Sequence, residues 1–230
     1  MNYLFMVLEY QGLKIHWLRH ACFRVEFNDK NLYFDPYELF KEHPKADYIL
    51  ITHEHFDHCD RESLQMLIKD GTVIIVPEIA YSCVKEFEKK CKIIKVKPGD
   101  SLTINDVKVS TIPSYNVSKF RAPGKVYHPK EDGRVGYIVE IKGVKIYHAG
   151  DTDVIPEMRE LEGKIDIALL PVSGTYVMTP EEAVDAVKII KPKIAIPMHY
   201  GTIVGTVKDA EKFREKASQH VQVVVLQEED

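Results

Sequence analysis

The chain has 230 residues, 45% of them hydrophobic, so it is long enough to bury a sizeable core and is read as one domain spanning residues 1–230. Its 31 basic and 35 acidic side chains leave a formal charge of −4 with no long run of one sign. That balance excludes an electrostatic nucleic-acid binder or a polybasic membrane anchor.

The opening stretch, Met1–Gly12, is apolar but carries Glu9, lacks a basic leader and is too short to span a bilayer. It is read as an added strand or helix. Four cysteines without a CxxC pair point to reduced thiols and a cytoplasmic setting. Abundant Lys, Glu, Ile and Val hint at a thermophilic source.

Strands are expected at Leu13–Leu18, Ala21–Phe27, Asn31–Phe34 and Asp47–Thr52, the last running into a histidine-rich loop. Asp60 should cap a helix over Arg61–Lys69 that stops at Asp70-Gly71. A strand at Thr72–Val76 and a helix from Pro77 to Lys90 follow, then strands at Lys92–Lys97, Ser101–Ile104 and Val107–Pro113. Ser114–Gly133 is a long connection, of a length that is usually functional or disordered. A hairpin pairs Arg134–Lys142 with Val144–His148.

Helix and strand then alternate: helix Val154–Leu161, strand Ile165–Leu170, a helix opened by the capping box Thr179–Glu182, strand Ile194–Met198, helix Lys208–Ala217 and strand Val221–Leu226. Strands followed by helices in each half predict an α/β fold of two sheets packed face to face with helices outside.

The chemistry concentrates in Thr52-His53-Glu54-His55-Phe56-Asp57-His58, four potential ligands within six residues at a strand end. Imidazole suits zinc and related divalent ions, and a carboxylate adds charge. On a turn, this spacing can divide its side chains between two adjacent ions. Tyr147-His148-Ala149-Gly150-Asp151-Thr152 and Pro197-Met198-His199-Tyr200 repeat the theme at later strand ends.

Together these segments resemble, in order, the HxHxDH, Gly-Asp and final-histidine motifs of the metallo-β-lactamase superfamily. Trp17-Leu18-Arg19-His20-Ala21-Cys22-Phe23 begins a likeness that covers nearly the full length, closest to the small branch of L-ascorbate-6-phosphate lactonase-like enzymes. The resemblance implies a four-layer αββα sandwich of two mixed sheets with helices on the outer faces. It implies two divalent ions, zinc first, with manganese, iron or nickel as alternatives.

His53 and His55 would hold the first ion, Asp57, His58 and His199 the second, and Asp151 would bridge them. Asp35 would support a ligand histidine from beneath, as such partners fix imidazole orientation. His148 is read as buried support rather than a ligand.

One departure stands out. Where the family carries a third histidine for the first ion, this chain has Asn116. Three outcomes are open: Asn116 binds weakly or through water, His128 swings in from the long loop, or the first site is only partly filled. His20 is placed at the rim of the cavity, as a metal or substrate contact.

A divalent ion lowers the pKa of bound water to about 7. The resemblance therefore implies a hydrolase in which metal-bound hydroxide attacks and Asp57 handles the proton. Two divalent ions, two aspartates and a hydroxide sum to a net positive charge, which favours anionic substrates. Lys119, following the altered motif, is expected to grip a phosphate or carboxylate. The expected substrate is a small anionic ester, lactone or phosphodiester, with no nucleic-acid or membrane partner and an open oligomeric state.

Among the alternatives, a nuclease of the superfamily would need an inserted domain or exosite arm. A glyoxalase-II-like thioesterase would need more than the roughly thirty residues that follow His199. A secreted β-lactamase would carry a leader, and a cysteine where Asp151 stands. A di-iron redox protein would have Glu at the place of His55. From a different class, a non-catalytic metal-binding or sensing protein is kept in play by Asn116.

Overall fold

The computed structural model describes residues 6–229. Within them the chain divides into two compact units, an amino-terminal one of residues 6–97 with 226–229 and a carboxy-terminal one of residues 98–225.

The amino-terminal unit is built on a seven-stranded sheet in sequential order: β1 (Leu8–Tyr10), β2 (Leu13–Arg19), β3 (Cys22–Phe27), β4 (Lys30–Phe34), β5 (Tyr48–Leu50), β6 (Val73–Pro77) and β7 (Lys92–Val96). Strands β1 to β4 pair antiparallel, and β4 to β7 pair parallel. The parallel strands β5 and β6 are buried along their whole length, as their unbroken apolar runs require. Helix α1 (Arg61–Leu67) starts where Asp60 accepts from the backbone N–H of Glu62 and Ser63. It contributes Leu64 and Leu67 to a cluster with Leu18, Ile49, Ile74 and Val84, each such burial stabilising by about 1.5–3 kcal/mol.

The carboxy-terminal unit carries β8 (Ser101–Ile104), β9 (Val107–Pro113), a small hairpin of β10 (Phe120–Ala122) and β11 (Lys125–Val126), then β12 (Val135–Ile141), β13 (Val144–His148), β14 (Ile167–Pro171), β15 (Ile194–Met198) and β16 (Gln222–Val223). Its main sheet runs β16-β15-β14-β13-β12-β9-β8, and repeats the plan of antiparallel hairpins followed by parallel crossovers. The crossover helix between β14 and β15 (Pro180–Ile190) has the expected capping box of Thr179 and Glu182, and a last helix spans Val207–Ala217.

Three expectations are corrected. The helix read from Pro77 to Lys90 is broken into a 3-10 turn (Glu78–Ala80), one α-turn (Tyr81–Val84) and a second 3-10 turn (Lys85–Phe87). It has no capping side chain at its start, and Ile79, Tyr81, Ser82 and Val84 are weak helix formers. The helix read over Val154–Leu161 is a 3-10 helix at Pro156–Leu161, with Met158 and Leu161 buried at the spacing of three that this geometry eclipses. The long connection is not structureless: it contains the β10–β11 hairpin and a 3-10 turn at Lys130–Asp132.

Of the opening apolar stretch, Leu8–Tyr10 forms β1, and its first five residues lie outside the described ones. Among the described residues, no helix is long and apolar enough to cross a membrane.

Candidate metal-ligand sets

In both units the candidate ligands follow the carboxyl ends of parallel strands, where open α/β sheets leave side chains clear of the ladder. Thr52 and His53 follow β5, Asp151 follows β13 and His199 follows β15.

In the amino-terminal unit, one buried carboxylate organises the set. Asp35 accepts from the backbone N–H of Thr52 at 2.7 Å and from its hydroxyl at 2.6 Å. The same carboxylate accepts from His58 Nδ1 at 2.7 Å. Having donated to Asp35, the Thr52 hydroxyl is left to accept from His53 Nδ1, 3.0 Å away. These partners fix the tautomer of both imidazoles and make Nε2 the lone-pair nitrogen, as metal-ligating histidines require.

His53 Nε2 lies 3.1 Å from His55 Nδ1, and His58 Nε2 lies 3.6 Å from Asp57 Oδ2. Two nitrogens on one tetrahedral zinc stand about 3.3 Å apart, given Zn–N bonds of ~2.0–2.1 Å, so both pairs have the spacing of shared ligands. His20 is not at a rim, as expected from sequence, but fully buried, with Nε2 3.2 Å from Asp57 Oδ2. Tyr37 packs edge-on against His20, and burial, with Glu38 beside it, pushes its hydroxyl up to about 12. Behind the ligand turn, the Cys59 thiol hydrogen-bonds Cys83. This raises Cys59 well above its ordinary value and brings Cys83 down to about 7.

In the carboxy-terminal unit, Asp151 faces two histidines with different oxygens. Oδ1 lies 3.1 Å from His199 Nε2, and Oδ2 lies 3.5 Å from His128 Nε2. A carboxylate shared between two cations presents its oxygens in this divided way. His199 Nδ1 is held by the Ser173 hydroxyl at 3.0 Å. His199 itself sits at φ 61, on a loop that Gly205 lets close: a Cβ on Gly205 would meet Ser173 Cβ at 2.6 Å. His148 is fully buried and accepts from Gly150 N–H through Nδ1, a supporting role as expected.

The Asn116 departure resolves here. Its amide oxygen accepts from His128 Nδ1 at 2.8 Å and from His128 N–H at 3.0 Å. Its amide nitrogen donates to Asp153 Oδ1 and to the Tyr176 carbonyl at 3.1 and 2.9 Å. The amide oxygen of Asn116 is thus engaged by His128, and its nitrogen by Asp153 and Tyr176. Asp153, buried beside it, also accepts from the backbone N–H of Val117 and Ser118 and shapes the turn.

Lys119 does not stand ready for an anion. Its ammonium bonds both oxygens of Glu182 at 2.8 and 2.7 Å and lies 3.6 Å from Asp153. Lys130 is likewise paired with Glu157, while Arg121 and Lys125 are exposed on the β10–β11 hairpin. Sequence reasoning missed Ser173, Asp153, Gly205 and the Thr52 hydroxyl. Only Thr52, next to the motif, offered a local signal.

Residues 14–199 match the family model described as a beta-lactamase superfamily domain. A UPF0173 metal-dependent hydrolase of Caldivirga maquilingensis is 35% identical over 231 residues, covering 94% of this chain and 96% of its own. One from Nanoarchaeum equitans is 37% identical over 225 residues, covering 95% and 98%. The chain belongs to the UPF0173 metal-dependent hydrolases of the beta-lactamase superfamily.

A crystal structure of a putative metal-dependent hydrolase from Parabacteroides distasonis matches with a TM-score of 0.80 and 32% identity. It covers 97% of this chain and 100% of that one. The UPF0173 chain thus has the expected metallo-β-lactamase fold class, two mixed sheets with helices, and is a metal-dependent hydrolase.

Proposed function

We propose that this hydrolase works with two divalent cations, zinc first among them, and cleaves a small anionic ester, lactone or phosphodiester. The observation that carries this reading is the treatment of four histidines. His53, His58, His128 and His199 each have Nδ1 at a protein oxygen and Nε2 within 3.6 Å of another candidate ligand atom. Their donor chemistry, imidazole with carboxylate, fits zinc, manganese, iron or nickel.

His53, His55 and His128 would hold the first cation, Asp57, His58 and His199 the second, and Asp151 would serve both through its two oxygens. When bound, the cations would supply Lewis acidity and an acidified water at neutral pH. Asp57 would take up the proton of the attacking water and return it to the leaving group. Asp35, Thr52, Asn116 and Ser173 would keep the imidazoles in place without moving during the reaction.

An anionic substrate is supported by the positive balance of two cations against two aspartates. Of the loop cations, Lys119 is engaged by Glu182, whereas Arg121 and Lys125 are exposed on the β10–β11 hairpin. Four free cysteines support a reducing, cytoplasmic setting. The test is a panel of carboxylic esters, lactones and phosphodiesters, run with the purified protein before and after chelation. Chelator-sensitive turnover of an anionic member is expected. Turnover confined to neutral members would overturn the substrate class, and none on any member would overturn the hydrolytic reading.

A further inference from the structure

His20 stands in a hairpin turn that is buried rather than exposed. Arg19 pairs with Cys22, so His20 and Ala21 form the two-residue turn between β2 and β3. His20 adopts φ 51, the left-handed region that non-glycine residues enter only at a cost, histidine, asparagine and aspartate more readily than most. Such turns normally lie in water. This one is fully buried, and the Trp17 indole N–H holds its His20 carbonyl at 2.9 Å.

Backbone strain that persists in a buried position points to a use for the strained side chain. The imidazole is aimed by its neighbours, with Tyr37 and His58 edge-on at ring-centre distances of 5.7 and 5.8 Å. Its Nε2 lies 3.2 Å from Asp57 Oδ2, the same oxygen that lies 3.6 Å from His58 Nε2. The ligand atoms of His20, Asp57 and His58 all lie within 4.8 Å of one another, and all three residues are buried. Two imidazole nitrogens, each at about the edge length of a coordination polyhedron from one carboxylate oxygen, place three donors around one position.

We infer that His20 is a protein ligand of the cation held by Asp57 and His58, so that the amino-terminal unit alone supplies three donors to that position. This rests on the two-cation reading above and adds to it. Another protein donor leaves that cation fewer open positions than the one at His53 and His55, which makes it the more tightly held of the two.

The test uses full-length protein, stripped by chelation and titrated with cobalt(II), followed by its visible absorption and by equilibrium dialysis. Wild type should bind two equivalents. His20→Gly and His20→Asn, both suited to the left-handed turn, should keep the wild-type circular dichroism spectrum in the stripped form. They should lose one binding event by more than ~100-fold, beyond the range seen for partners that only orient a ligand, together with part of the cobalt spectrum. Variants that bind both equivalents with wild-type affinity would overturn the assignment. So would a smaller loss with an unchanged spectrum, since His20 would then only hydrogen-bond Asp57.

A wild type that binds no cobalt would sink the two-cation reading itself, and His20 with it. Scalar coupling between a spin-half cadmium isotope and the His20 ring nitrogen in the unmutated protein checks the same bond if the variants fold poorly. Its absence, with coupling present at His58, would overturn the proposal.

Discussion

The two units reach the same end, imidazoles held by one nitrogen and aimed by the other, through opposite economies. In the amino-terminal unit a single carboxylate, Asp35, anchors Thr52 and His58 and, through the Thr52 hydroxyl, His53. In the carboxy-terminal unit the anchors are separate and neutral: Asn116 for His128 and Ser173 for His199. A shared anchor makes the first set depend on one side chain, whereas dispersed anchors let the second set fail piecemeal.

The largest effect expected lies with Asp57, the proposed proton carrier. Asp57→Asn should cut turnover by at least ~100-fold, the lower end of what general acid–base groups contribute, with the circular dichroism spectrum unchanged. Near-normal turnover would remove Asp57 from the chemistry. The comparison of anchors comes next. Asp35→Asn should weaken metal binding by up to ~100-fold and at both positions, because it loosens His53 and His58 together. Asn116→Ala should weaken binding by nearer ~10-fold and at one position only. Equal losses in a competition titration would mean that the two kinds of anchor do not differ.

The smallest effect is one of stability. Gly205→Ala forces a Cβ against Ser173 at φ 68 and should cost about 1–3 kcal/mol in urea unfolding. It should also loosen His199.

The same contrast explains what could be read from the chain in advance. His53, His55, Asp57 and His58 are neighbours in sequence, and strand β5 delivers them as one loop, so their spacing alone announced a metal site. The parallel strands β5, β6, β14 and β15 were equally plain, because burial on both faces leaves unbroken apolar runs. His128 was only one of three options, since its link to Asn116 joins residues twelve apart across a loop with no periodicity.

His20 was placed at a rim because nothing local reveals that a hairpin turn is buried. Lys119 read as an anion grip until Glu182, 63 residues on, was found to hold it. The broken helix over 78–87 shows the other limit: its apolar spacing suited a helix, but its weak helix formers and missing cap did not sustain one.

The claim beneath all of this is that Asp151, with one oxygen toward His199 and the other toward His128, serves two cations at once. Elemental analysis of metal-loaded wild type and Asp151→Ala, at matched protein concentration, tests it most directly. The account predicts two ions per wild-type chain and a loss at both positions in the variant. One ion per wild-type chain, or a variant that keeps both, would contradict it.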